Sequence, residues 1–141
     1  MNRLRVVLDT NVYVSGIQFG GIPAEILAQA TEGVFILCVS EAIRDELTDI
    51  LRTKFQRGEE QILQSCNPLW EVAHHVTPER RLLIADDPDD NRILECAATA
   101  EADVIVSGDD DILRLRNSPQ PPPIDKLRFM TPREFLGSLA S

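Results

Sequence analysis

Four carboxylates in this chain stand where an acid is costly unless something answers it. Asp9 directly follows the apolar run Val6–Leu8, and Asp109 follows Val104–Val106 after the short exit Ser107–Gly108. Each therefore sits just past the carboxyl end of a segment that reads as a strand buried on both faces. In open α/β sheets that edge is where ligands bind. A single aspartate there can also be a helix cap, so one says little and two on two strands say more. Glu46 belongs to a helical segment starting at Glu41, in which Ile43, Leu47, Ile50 and Leu51 share one stripe at about 100° per residue. Glu46 borders that stripe, which taken alone also fits a boundary carboxylate whose stem reaches to water, whereas Glu41, Asp45 and Asp49 turn toward solvent. Asp90 lies one turn before Ile93 and Leu94, the start of a stripe continued by Ala97 and Ala98, and so faces inward. Asp87 is the expected N-cap of that helix and Pro88 its first residue, with Asp86 and Asp89 in solvent; capping alone also accounts for this cluster.

If Asp9, Glu46, Asp90 and Asp109 meet at one sheet edge, their charges need a remedy. Two like charges 4 Å apart repel by about 4 kcal/mol at an effective dielectric of roughly 20. Either some of the acids stay protonated or a cation neutralises them. A ligand set of oxygens, with no His or Cys in the motifs, selects a hard ion, Mg²⁺ or Mn²⁺, over zinc. Such an ion activates water and clamps the oxygens of an in-line phosphoryl displacement, so no protein nucleophile is required.

The elements that must position these acids alternate. Val6–Leu8, Val34–Val39, Val104–Val106 and "LRFM" (Leu127–Met130) read as strands, and Pro23–Ala30, Glu41–Phe55, Glu59–Trp70 and Pro88–Ala100 as helices. A last helix opens in "TPREFLGSL", with Thr131 as N-cap, Pro132 first and Glu134 completing a capping box. The pattern predicts a single α/β domain spanning residues 1–141, a central parallel sheet flanked by helices. The proline-rich segment Ser118–Asp125 is expected to be a stiff connecting loop.

With 141 residues, 43% of them hydrophobic, the chain suffices for one core. No window approaches the roughly 18 apolar residues of a membrane helix, and no signal-peptide pattern opens the chain, so a cytoplasmic location is expected. Cys38, Cys66 and Cys96 are far apart, form no CxxC pair, and are expected to be reduced. The net charge of −9 argues against a broadly basic nucleic-acid-binding face. Eight aspartates between Asp86 and Asp111 mark the region where a cation should be sought.

The segments "LDTNVYVSG", "SEAIRDELTDIL", "DPDDNRILECAATAEADVIVSGDDDIL" and "TPREFL" occur in the order found in PIN-domain nucleases. Over nearly its full length the chain resembles that family, and within it the toxins of bacterial and archaeal toxin–antitoxin systems. The resemblance implies a Mg²⁺- or Mn²⁺-dependent ribonuclease acting on RNA, held in check by an antitoxin protein, with a homo-oligomer as a further expectation. It makes Asp9, Glu46, Asp90 and Asp109 the metal-binding and catalytic acids, Asp111 a candidate fifth, and Thr10, Asn11 and Ser107 supporting residues. Ser107 stands where Thr is usual, which keeps the hydroxyl, and Asp110 adds a charge where a basic or polar residue is common.

Other classes fit less well. A haloacid-dehalogenase-type phosphatase needs a second acid two residues after the first, where this chain has Asn11, and a receiver domain needs paired acids near the first strand. "GIQFGG" follows a helical stretch and does not make a dinucleotide-binding turn. The remaining rival is a catalytically silent PIN-like binding module, which the four intact acids argue against. His74 and His75 lack an HExxH context and read as packing or surface residues, as does Trp70. Arg44, Arg52, Lys54, Arg57, Arg114, Arg116 and Arg128 either line an RNA path or are solvated charges.

Overall fold

The apolar runs do form a sheet of parallel strands. A computed structural model describes residues 3–140. In chain order its strands are β1 (Arg5–Leu8), β2 (Ile36–Ser40), β3 (His74–Val76), β4 (Val104–Val106) and β5 (Arg128–Met130), arranged β3-β2-β1-β4-β5 with every pairing parallel. The α-helices are α1 (Thr10–Gln18), α2 (Gly21–Thr31), α3 (Glu41–Thr53), α4 (Glu59–Val72), α5 (Pro88–Ala100), α6 (Asp110–Leu113) and α7 (Pro132–Leu139), with a 3₁₀ turn at Arg114–Asn117 after α6. Val6–Leu8 and Val104–Val106 are completely buried, as central strands covered on both faces must be.

The strand order decides where a site can form. The chain steps outward from β1 to β2 and β3, then returns to place β4 on the other side of β1. Two neighbouring strands whose connections leave in opposite directions open a crevice at their carboxyl ends. Asp9 and Ser107 are the residues immediately after β1 and β4, on that crevice. Asp103, by contrast, is at the amino end: its carboxylate accepts the Arg5 N–H at 2.8 Å, and its own N–H donates to the Arg5 carbonyl at 2.7 Å. It pins β4 to β1 and has no part in the crevice.

Local chemistry sets the helix ends. Ser40 caps α3 through the Ile43 N–H, and Asp87 caps α5 through the Asp89 N–H at 2.9 Å. Thr131 and Glu134 form the reciprocal capping box expected for α7. That helix is fastened by Phe135, which meets Phe35 edge-on with centroids 5.1 Å apart. Gly16 permits α1 and α2 to touch, since a β-carbon there would come within 2.6 Å of Leu27 Cδ1 and 3.1 Å of the backbone at Ala24.

Two expectations need correction. Among the described residues there are five strands where the apolar pattern shows four, because β3 is a short, largely exposed edge strand with little to bury. Its His75 is held between the Arg44 guanidinium and the Trp70 carbonyl. Second, β2 starts at Ile36, after Val34 and Phe35; the helical stretch before Gly16 is α1, Thr10–Gln18. Trp70 is half-buried against Tyr13, with centroids 5.5 Å apart. The three cysteines are buried and unpaired. Among the described residues no helix is long and apolar enough to cross a membrane.

Candidate metal centre

Asp9 stands at the N-cap position of α1, yet its side chain makes no capping hydrogen bond. Its Oδ2 instead accepts the Ser107 hydroxyl at 2.7 Å, and the same Ser107 oxygen accepts the Asp109 N–H at 2.9 Å. One buried hydroxyl therefore ties the loop after β1 to the loop after β4. A threonine would do the same. Burial pushes the Asp9 carboxyl above its ordinary range and the Asp109 charge adds to the rise; the Ser107 bond and the N–H groups of Thr10 and Asn11 oppose it.

Asp109 does act as a cap, its Oδ1 accepting the Asp111 N–H at 2.9 Å. That bond folds the Asp109–Asp111 turn so that two carboxylates from one loop approach Asp90 on α5. Each of Asp90, Asp109 and Asp111 presents a carboxylate oxygen within 4.8 Å of the other two. Asp90 is 6% exposed and its Oδ2 has no hydrogen-bond partner. Burial is the main cause lifting its pKa to about 7, and the charges of Asp109, Asp9, Asp87 and Asp111 lift it further. A buried carboxylate oxygen without a donor is costly unless it is protonated or meets a cation.

Glu46 on α3 is half-buried while Glu41, Asp45 and Asp49 are exposed. Its pKa is raised by burial first, then by the charge of Asp89, with Asp9 and Asp87 contributing less; Thr10 opposes the rise. The Thr10 Oγ1 is buried and has no hydrogen-bond partner. Of the acids singled out from the sequence, Asp90 and Asp109 form the close group together with Asp111, the candidate fifth. Asp9 joins it through Ser107, while Glu46 lies outside the trio and Asn11 is exposed.

Comparison with known proteins places the chain. Residues 5–111 match the PIN domain family. The chain belongs to that family. An uncharacterized protein of Methanocaldococcus jannaschii is 31% identical over 142 residues, spanning 95% of this chain and 90% of its own length. The fold is similar to that of a chain in the crystal structure of VapBC2 from Rickettsia felis bound to a DNA fragment from its promoter. That match has a TM-score of 0.61 and 14% identity, and covers 91% of this chain and 98% of the other.

Two buried polar residues of this PIN domain escape a reading by periodicity. Asn91, beside Asp90, accepts the N–H groups of Ile84 and Ala85 at 3.1 and 2.8 Å and donates to the Ala85 carbonyl at 2.9 Å. One turn on, Glu95 accepts the Leu82 N–H at 2.8 Å. It also forms an ion pair with Arg92 at 2.9 Å, although the Arg92 Nε–H is not aimed at an acceptor. Together they strap the extended segment before α5 onto that helix. The signal available was their four-residue spacing beside the apolar stripe, which equally describes solvated boundary residues. Asn91→Ala leaves three backbone groups without their partner. It should cost about 3 kcal/mol in urea unfolding, given roughly 1–3 kcal/mol per unsatisfied buried group. A loss below about 0.5 kcal/mol would mean the strap holds without it.

Size does not locate the chemistry. A cavity of about 360 Å³ on the far side of the strap is lined by Glu79, Arg80, Leu82, Glu95 and Thr99, and none of the four acids reaches it. The acidic cavity, bordered by Asp86, Asp87, Asp90, Asp111 and Arg114, is about 90 Å³.

Proposed function

We propose that this PIN domain is a Mg²⁺- or Mn²⁺-dependent endoribonuclease, the toxin of a toxin–antitoxin pair, acting on RNA in the cytoplasm. The observation that carries the reading is the approach of Asp90, Asp109 and Asp111 to within 4.8 Å around a buried carboxylate oxygen that has no donor. Three carboxylates from two elements thus present oxygens close enough for one small cation to draw together. All its donors are carboxylate oxygens, the set a hard divalent ion takes. The solved relative named for VapBC2 supports a protein partner for this chain, and its 14% identity leaves the partner's chemistry to experiment.

Asp9, Asp90 and Asp109 would hold the ion, with Asp111 completing the set. When bound, the ion supplies charge neutralisation and activates water for in-line attack on phosphorus. Ser107 fixes Asp9 and the Asp109 loop at one separation, so the ligands need little reorganisation. Glu46, half-buried beside the site, would bind the ion or orient the attacking water.

The test is cleavage of single-stranded RNA by purified protein with Mn²⁺ and with excess chelator. Metal-dependent cuts that leave no 2′,3′-cyclic phosphate are expected, because water and not the ribose hydroxyl attacks. Cyclic ends, or cutting in chelator, would contradict the mechanism. No cutting of any RNA would favour a silent binding module. Independently, Mn²⁺ at about a hundred times its dissociation constant should stabilise the fold by roughly 2.7 kcal/mol. A melting temperature that responds no more to millimolar Mn²⁺ than to monovalent salt would remove the ion site.

A further inference from the structure

The acidic cavity has one basic side chain on its wall among the described residues, Arg114, and this side chain is already aimed. Its Nη2 lies 2.8 Å from Asp111 Oδ1, one of the three clustered acids, while the side chain remains 65% exposed. Asp111 is in the first turn of α6 and Arg114 opens the 3₁₀ turn that follows, so the pair spans three residues of continuous helical backbone. The guanidinium is thereby held at the cavity mouth. A single N–H is used on Asp111, and a guanidinium carries five.

We infer that Arg114 is a substrate-binding residue that grips an RNA phosphate beside the scissile one. The inference rests on the nuclease reading above and adds to it the group that lets a polyanion enter. A phosphodiester approaching this mouth meets Asp86, Asp87, Asp90 and Asp111 on a chain of net charge −9. One divalent ion offsets two of those charges, and a second cation facing outward is needed to attract rather than repel the strand. The planar guanidinium fork fits two phosphate oxygens at once, which a point charge does not. Arg116, two residues on, carries the same charge but is turned away to Glu134 Oε1 at 3.0 Å. It serves as the control for charge alone.

Full-length parent, Arg114→Gln, Arg114→Lys and Arg116→Gln proteins are assayed on a labelled single-stranded RNA of mixed sequence in Mn²⁺, with Mn²⁺ affinity measured separately by calorimetry. Arg114→Gln should raise KM about tenfold, from the loss of a charge-assisted guanidinium–phosphate contact, and change kcat less than about threefold. The salt dependence of log KM should flatten by roughly 0.7, the loss of one phosphate contact on a single strand. Arg114→Lys should recover part of the affinity but not all. Mn²⁺ affinity of Arg114→Gln should stay within about threefold of the parent, and Arg116→Gln should leave KM within about twofold. The inference is overturned if Arg114→Gln leaves KM and the salt slope unchanged, if its loss is matched by a loss of Mn²⁺ affinity, or if Arg116→Gln is equally impaired. A parent that cuts RNA beside an unimpaired Arg114→Gln removes this inference alone. A parent that binds Mn²⁺ but cuts no RNA removes the nuclease reading and this inference with it.

Discussion

In metal-free buffer the Asp90→Asn protein should be more stable than the parent at pH 8, with the advantage shrinking as the pH falls and gone below about pH 4. Burial, reinforced by the charges of Asp109, Asp9, Asp87 and Asp111, raises Asp90 from 3.8 to about 7. A carboxyl whose folded pKa lies above its unfolded one binds an extra proton in the folded state between those values. Parent stability therefore falls as the pH rises from 3.8 to about 7, and below 3.8 nothing is lost. At about 1.4 kcal/mol per pH unit the upper limit is about 4 kcal/mol. The cavity is open to water on one side, so about 2–4 kcal/mol is expected. Asparagine cannot ionise and escapes the penalty. Saturating Mn²⁺ should reverse the order, because it stabilises the parent through the carboxylate that the variant lacks. Urea unfolding from pH 4 to 8 with chelator present measures the difference. An advantage that does not vary with pH would place its origin in packing and not in the buried charge.

The sequence carried the central sheet because strands covered on both faces must be apolar throughout: Val6–Leu8 and Val104–Val106 have no solvent side to disguise them. The edge strand His74–Val76 has no such obligation. It joins the sheet through its backbone ladder to Cys38–Ser40, and that ladder leaves no mark on side-chain types. Thr10–Gln18 is helical although "NVYV" has the β-branched and aromatic content of a strand. It is a helix because Asp9 starts a turn at the sheet edge and Gly16 gives α2 room to pack.

Within the site, rotation along α3 separates Glu46 from Asp45 and Asp49, and the structure has the first half-buried and the others exposed. The membership of the close trio was less legible. Asp111 joins Asp90 and Asp109 because Asp109 caps the Asp111 N–H, a turn geometry that adjacent aspartates do not announce. Asp86 and Asp89 are exposed, as periodicity suggests, yet neither is idle. Asp86 borders the acidic cavity, and Asp89 is the charge acting most strongly on Glu46. Exposure along one helix cannot show what faces it from another.

Asp9→Asn should abolish RNA cleavage while leaving the fold at least as stable as the parent's. Asp9 is 5% exposed, and burial holds its carboxyl above the ordinary range, so its charge is a liability to the metal-free fold. An amide of the same size can still accept the Ser107 hydroxyl through its oxygen, which keeps the loops after β1 and β4 joined. What it cannot supply is the negative charge that draws a divalent ion to the end of β1. A loss of about a thousandfold or more is expected in Mn²⁺-supported cleavage, equivalent to about 4 kcal/mol of transition-state stabilisation. Asp45→Asn removes the same charge from an exposed position one residue before Glu46 and should change the rate less than about threefold. The same contrast should appear in cells, where expression of the parent or of Asp45→Asn slows growth and expression of Asp9→Asn does not. If Asp9→Asn cuts RNA at the parent's rate, the acid at the end of β1 is structural and the ion is held by Asp90, Asp109 and Asp111 without it. If Asp9→Asn is inactive but melts well below the parent, the Ser107–Asp9 link is needed for folding. Cleavage by the Asp9→Glu protein, which restores the charge on a longer arm, would then show whether charge is needed as well.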